Sequence, residues 1–188
     1  MRTVSIEPLS SSGLPTLTIT PESNRGDAPV LLLLHGMREA GSSPSEVPKV
    51  CIHQSPPWRA MMGRIPDALV IAPQAPSVPN EETWNWGDHA TSVGHFLKET
   101  FEGRRLVATG FTRGGLGVLQ VLAAYPNLFE RWAIADPQPP SSKRRRQLSW
   151  PRRHDLAGCG TVFTVSDRLN GRHSRKRWRQ RFPNQTAM

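Results

Sequence analysis

Short apolar runs alternate with stretches of helical spacing along this chain. Thr16-Leu17-Thr18-Ile19-Thr20 alternates polar and apolar side chains, which predicts a half-exposed strand near a sheet edge. Val30 to Leu34 is apolar without a break, as a strand covered on both faces requires. That run stops at His35-Gly36, where glycine lets the chain turn tightly. Residues 37–66 carry many Gly, Ser and Pro and little periodicity, and read as a long loop with one short helix around Trp58 to Met62. Ala68 to Ala72 is a second buried strand, ended by Pro73, and Pro76 to Gly87 is a loop containing Trp84 and Trp86. From Thr91 the spacing becomes helical, with Val93, Phe96, Leu97 and Phe101 on one face. Leu106 to Thr109 is a third strand, and Leu116, Leu119, Leu122 and Ala123 form a second helical stripe that ends before Pro126. Trp132 to Ala135 and Thr161 to Val165 give a fourth and a fifth strand. Alternation of strands with helices predicts an α/β fold, with a mostly parallel central sheet and helices on both faces.

The turn after the third strand carries the chemistry. Gly110-Phe111-Thr112-Arg113-Gly114 has the frame Gly-x-Ser-x-Gly with threonine in the central place. It sits between an apolar strand and an amphipathic helix, the context a nucleophile elbow needs. A sharp bend there exposes the central hydroxyl, and larger residues than Gly110 and Gly114 would strike the neighbouring strand and helix. The backbone N–H of Arg113 then lies at a helix N-terminus, where free N–H groups and the dipole favour a developing oxyanion. The competing reading is a glycine-rich strand-to-helix turn with no chemistry. His35-Gly36 begins the other half of an oxyanion hole, with Met37 N–H as donor.

Several segments come in one order: Leu34-His35-Gly36-Met37-Arg38-Glu39-Ala40-Gly41, Ile52 to Pro57, Val70-Ile71-Ala72-Pro73-Gln74-Ala75-Pro76, Trp84, and the turn at Thr112. Over about residues 29–136 this resembles the phospholipase/carboxylesterase branch of the α/β-hydrolases, with its poly(hydroxyalkanoate)-depolymerase-like esterases. The resemblance implies an α/β-hydrolase-type fold and a carboxylic-ester hydrolase whose substrate is a small-molecule ester. It places Thr112 as nucleophile and Met37 and Arg113 at the oxyanion hole, with Gly36, Gly110 and Gly114 as the loop and elbow glycines. The family order then calls for an acid and a histidine. Asp167 follows the fifth strand, with a solvated turn residue as its plain alternative, and His173 is the one histidine after it.

The chain departs from that pattern in three ways. Thr112 is β-branched and stiff at a strained position. Losing a serine nucleophile costs about a millionfold in turnover, and threonine is expected to keep only part of that. Asp167 is the single carboxylate at the acid's place. His173 lies six residues on, in an Arg-rich stretch, where no final helix and strand are visible. Weak catalysis is therefore one expectation, and a non-catalytic homologue that binds an acyl ligand or a partner is another.

Composition sharpens this picture. The 188 residues, 37% hydrophobic and 21% charged, suit one globular domain that buries roughly 70% of its unfolded surface. No apolar run approaches the ~18 residues of a membrane span. The N-terminal residues show no apolar signal core, and Cys51 and Cys159 read as free thiols, so a cytoplasmic location is expected. The net charge of +9 is unevenly spread. Residues 1–136 hold 11 Lys+Arg against 13 Asp+Glu, whereas residues 137–188 hold 13 against 2. Two regions are predicted: a hydrolase core over 1–136, and a basic segment over 137–188 that carries a last core strand (161–166) and a tail. The resemblance fades at the same boundary, so the C-terminal part reads as truncated or divergent. Lys143 to Arg146, Arg152-Arg153 and Arg172 to Arg181 are basic clusters that can hold phosphate backbones, with Trp150 and Trp178 to stack on bases. A solvated tail is the simpler reading, since no nucleic-acid module frames the arginines. No phosphate loop, metal triad or dinucleotide fingerprint is present, so neither a cofactor nor a metal is expected. No feature of the chain speaks to its oligomeric state.

Overall fold

The computed structural model describes residues 2–23, 26–78 and 86–137, together with the backbone of two further strands at 159–163 and 177–179. The apolar runs become the centre of a sheet. Its strands are β1 (Thr3–Pro8), β2 (Pro15–Thr20), β3 (Val30–Leu34), β4 (Leu69–Pro73), β5 (Leu106–Phe111), β6 (Arg131–Ala135), β7 (Cys159–Phe163) and β8 (Arg177–Arg179). Among the described residues they form one sheet in the order β1-β2-β4-β3-β5-β6-β7-β8. The five strands from β4 to β7 run parallel, whereas β1 with β2, β2 with β4 and β7 with β8 pair antiparallel.

Both faces of this sheet are covered because its central strands are apolar on both. On one face Val30, Leu32 and Leu34 of β3 and Leu69 and Ile71 of β4 pack under α2 (Gly87–Thr100) and α3 (Arg113–Ala124). Leu33, Val70 and Ala72 point the other way and join Leu17 and Ile19 of β2 beneath Val47, Val50 and Ala60. Those last three come from a 3-10 segment (Pro44–Gln54) and from α1 (Pro56–Met61). Burying each large aliphatic side chain contributes about 1.5–3 kcal/mol, so these two layers dominate the stability. The fold is α/β, with a mostly parallel sheet covered on both faces. No helix among the described residues is long and apolar enough to cross a membrane.

β2 lies next to the sheet edge, as its alternation predicts, with β1 pairing along its outer side. Three details differ from the sequence expectation. β1 escapes pattern reading because nearly all its side chains are exposed, Val4 and Ile6 included. Residues 37–66 are more ordered than a loop: two 3-10 segments, Met37–Glu39 and Pro44–Gln54, precede α1. The fifth strand sits at Cys159–Phe163, two residues before the expected start, and β8 supplies a final short strand where none was visible. The remainder of the basic segment, with Trp150, lies outside the described residues, as does the Trp178 side chain.

Candidate active site

Parallel pairing brings three strand ends to one edge of the sheet. Leu34 of β3, Gly110 of β5 and Ile134 of β6 stand side by side, and Phe111 stands beside Ala135. The next residues out are His35 and Gly36, Thr112, and Asp136. Ligands of open α/β sheets bind at this carboxyl edge.

Thr112 sits on a sharp bend. β5 ends at Phe111 and α3 starts at Arg113, leaving Thr112 between them at φ 50, ψ −115. A positive φ costs a β-branched residue of order 1–3 kcal/mol. The surroundings impose it: Thr112 N–H donates to Ala135 O at 2.9 Å, which ties the bend to β6. Gly110 and Gly114 let the chain close up. A Cβ on Gly114 would lie 1.9 Å from Leu34 O, and one on Gly110 would lie 2.3 Å from Gly114 O. Both contacts are with backbone, which cannot swing aside.

The hydroxyl of Thr112 faces β3's exit turn. A Cβ built on Gly36 would stand 2.7 Å from Thr112 Oγ1 and 3.0 Å from Glu39 Oε2. Gly36 therefore leaves the only room for these two oxygens to approach its Cα. Met37 follows at once and opens the 3-10 turn Met37–Glu39. The first N–H groups of such a turn have no acceptor inside it. Met37 and Arg113 each begin a helical turn, one directly after Gly36 and the other directly after Thr112.

The exit turn is locked from three directions. His35 is buried, and its Nε2 accepts a hydrogen bond from Ala75 N–H at 2.9 Å. Its Nδ1 lies 2.5 Å from Gly36 O, so the ring proton sits on Nδ1. Burial pushes the His35 pKa down to about 4. The imidazole is neutral and occupied on both nitrogens, which suits a strut and not a proton carrier. Trp86, also buried, donates its Nε1–H to His35 O at 2.9 Å and packs edge-on against the ring. Gln74, 0% exposed, donates from Nε2 to Glu39 O at 2.9 Å and to Glu46 O at 2.8 Å.

The turn residues Gly36, Met37, Gly110, Thr112, Arg113 and Gly114 are thus gathered at one place. Asp167, His173 and Trp84 lie outside the described residues. The structure adds two groups that sequence reasoning left without a role. Glu39, buried at 7% exposure, reaches the edge beside Thr112. His53 Nε2 lies 3.9 Å from Glu39 Oε1. The spacing His35-Gly36-x-x-Glu39 was the available signal, but nothing in it said which way the carboxylate points. Cys51 is a free thiol whose pKa burial raises. Among the described residues no group of three His, Cys, Asp or Glu is placed to hold a metal ion.

No family model matches the sequence, and no curated protein does. Solved structures similar to this chain are esterases and hydrolases. A thermostable esterase is 17% identical with a TM-score of 0.48, over 80% of this chain and 44% of its own. A CIB-like hydrolase from Thermoplasma acidophilum is 15% identical with a TM-score of 0.49, over 86% of this chain and 72% of its own. A carboxylesterase from Bacillus subtilis is 17% identical with a TM-score of 0.45, over 73% and 44%. The chain therefore spans less than half the length of the two esterases, and at this identity no residue role passes from them to it.

Proposed function

We propose that this protein hydrolyses carboxylic esters of small molecules through the hydroxyl of Thr112. The observation that carries the reading is the left-handed bend at Thr112, which turns Oγ1 toward Gly36 at the mouth of two helical turns. In this reading Oγ1 attacks the ester carbonyl carbon, and the carbonyl oxygen becomes an oxyanion held by Met37 and Arg113 N–H. Each such donor is worth about 10²–10³ in turnover. Collapse expels the alcohol, and water then releases the acid. The family order would give proton transfer to Asp167 and His173, which lie outside the described residues. This assignment places a nucleophile elbow at residues 110–114, in the manner of the phospholipase/carboxylesterase branch.

Thr112 limits the rate. Its methyl group stiffens χ1 and crowds the pocket that must receive the oxyanion. Short-chain p-nitrophenyl esters test the proposal. Wild type is expected to turn over slowly, Thr112→Ser at least ~10-fold faster, and Thr112→Ala at the solution background, since a lost nucleophile costs orders of magnitude. Equal rates in all three would contradict it.

The β-branched side chain at a positive φ favours a second reading, in which the same pocket binds an acid or ester without turning it over. Short carboxylates would then raise the melting temperature by mass action, with no hydrolysis by wild type or by Thr112→Ser.

A further inference from the structure

We propose that the carboxylate of Glu39, with His53 behind it, is the group that takes the proton from Thr112. The inference rests on Thr112 being the nucleophile and adds the identity of its base. Glu39 Oε2 and Thr112 Oγ1 both stand over the same Gly36, each about 3 Å or less from one point in space. They are therefore close enough for one water between them to link Oγ1 to the carboxylate. The carboxylate belongs to a buried residue, so little bulk water competes for it.

Its orientation is built in. The Glu39 backbone is held by Gln74 Nε2 through Glu39 O. Its other carboxylate oxygen lies 3.9 Å from His53 Nε2. His53 and Gln54 are both left-handed, at φ 59 and φ 53. Two consecutive residues in that region cost of order 1–3 kcal/mol each, and such strain collects where a side chain must be aimed. The order Thr112, Glu39, His53 puts the carboxylate in the middle, so Glu39 receives the reacting proton and His53 is a positioning residue.

The charge balance favours this carboxylate beside an oxyanion hole. As the Oγ1–carbon bond forms, the Oγ1–H bond breaks, the proton passes to Glu39 Oε2, and the carbonyl π pair moves onto oxygen. One negative charge is present before and after the step, so Glu39 becomes neutral at the moment the oxyanion appears. Collapse breaks the bond to the alcohol oxygen, which leaves with that proton. Attacking water repeats the sequence: its proton goes to Glu39 and then to Thr112 Oγ1 as the acid departs.

The test is the rate at which a fluorophosphonate phosphonylates Thr112 in the full chain, with fluoride as leaving group and the adduct located by peptide mass analysis. Glu39→Gln is expected to slow labelling about 10²-fold or more, the usual worth of a positioned base, while Glu39→Asp keeps part of the rate. In Glu39→Ala, added formate is expected to restore labelling, which a merely structural role would not allow. Glu39→Gln labelling at the wild-type rate while His173→Ala is slowed would overturn the proposal and leave Thr112 as nucleophile. Slow labelling of Glu39→Ala that formate does not improve would overturn it too. Absence of any wild-type label on Thr112 would remove the esterase reading together with this one.

Discussion

Thr112 and its glycine neighbours show how single residues set the geometry here. Gly114 faces the Leu34 carbonyl where a Cβ would stand 1.9 Å away. Gly114→Ala is therefore expected to cost about 3 kcal/mol or more, because backbone on both sides must shift. Gly103 also has a positive φ, but open space surrounds it, so Gly103→Ala should cost only the left-handed penalty of about 1–2 kcal/mol. Urea denaturation of the two variants checks the contrast. Thr112→Gly should raise stability by roughly 1 kcal/mol, since it releases strain, while removing the hydroxyl. His35 gives a pH dependence. Its pKa falls from 6.5 to about 4 on folding, so between those values the unfolded chain binds a proton that the native chain refuses. Stability is then fully present above pH 6.5 and declines as the pH drops toward 4, by roughly 3 kcal/mol at most. Denaturation midpoints across that range are expected to slope in wild type and to flatten in His35→Asn.

At the scale of elements, the two segments that lock the exit turn matter more than the strands. Gln74→Leu keeps the volume of a buried side chain but orphans the carbonyls of Glu39 and Glu46. A loss of about 1–3 kcal/mol is expected from one buried and one part-buried acceptor without donors, and ester hydrolysis should fall with it because the Met37–Glu39 turn loses its anchor. Calorimetry together with the p-nitrophenyl ester assay separates the two effects. Sequence reading worked best where burial imposes a period. β3 and β4 were legible as apolar runs and α3 as a stripe, because each must meet the core on defined faces. The 3-10 segments and β1 were not legible, since hydrogen bonds and pairing along the backbone define them, not side-chain burial. For the same reason the strand-to-helix bend at Thr112 was readable and the approach of Glu39 to His53 was not: the bend is local, whereas the pair joins residues brought together by a left-handed kink at His53.

On the scale of the whole molecule, the parallel sheet aligns three strand ends, and the bend at Thr112 sets its hydroxyl at that edge beside Gly36. The near-neutral balance of residues 1–136 and the strongly basic remainder divide the chain chemically at the residue that ends β6's turn, Asp136. The proposed chemistry turns on one oxygen atom at that edge, Thr112 Oγ1. Incubation of the full chain with a fluorophosphonate, followed by mass mapping, measures it directly. A slow adduct is expected on Thr112, faster labelling at position 112 in Thr112→Ser, and none in Thr112→Ala. An adduct at another residue, or labelling unchanged in Thr112→Ala, would contradict it.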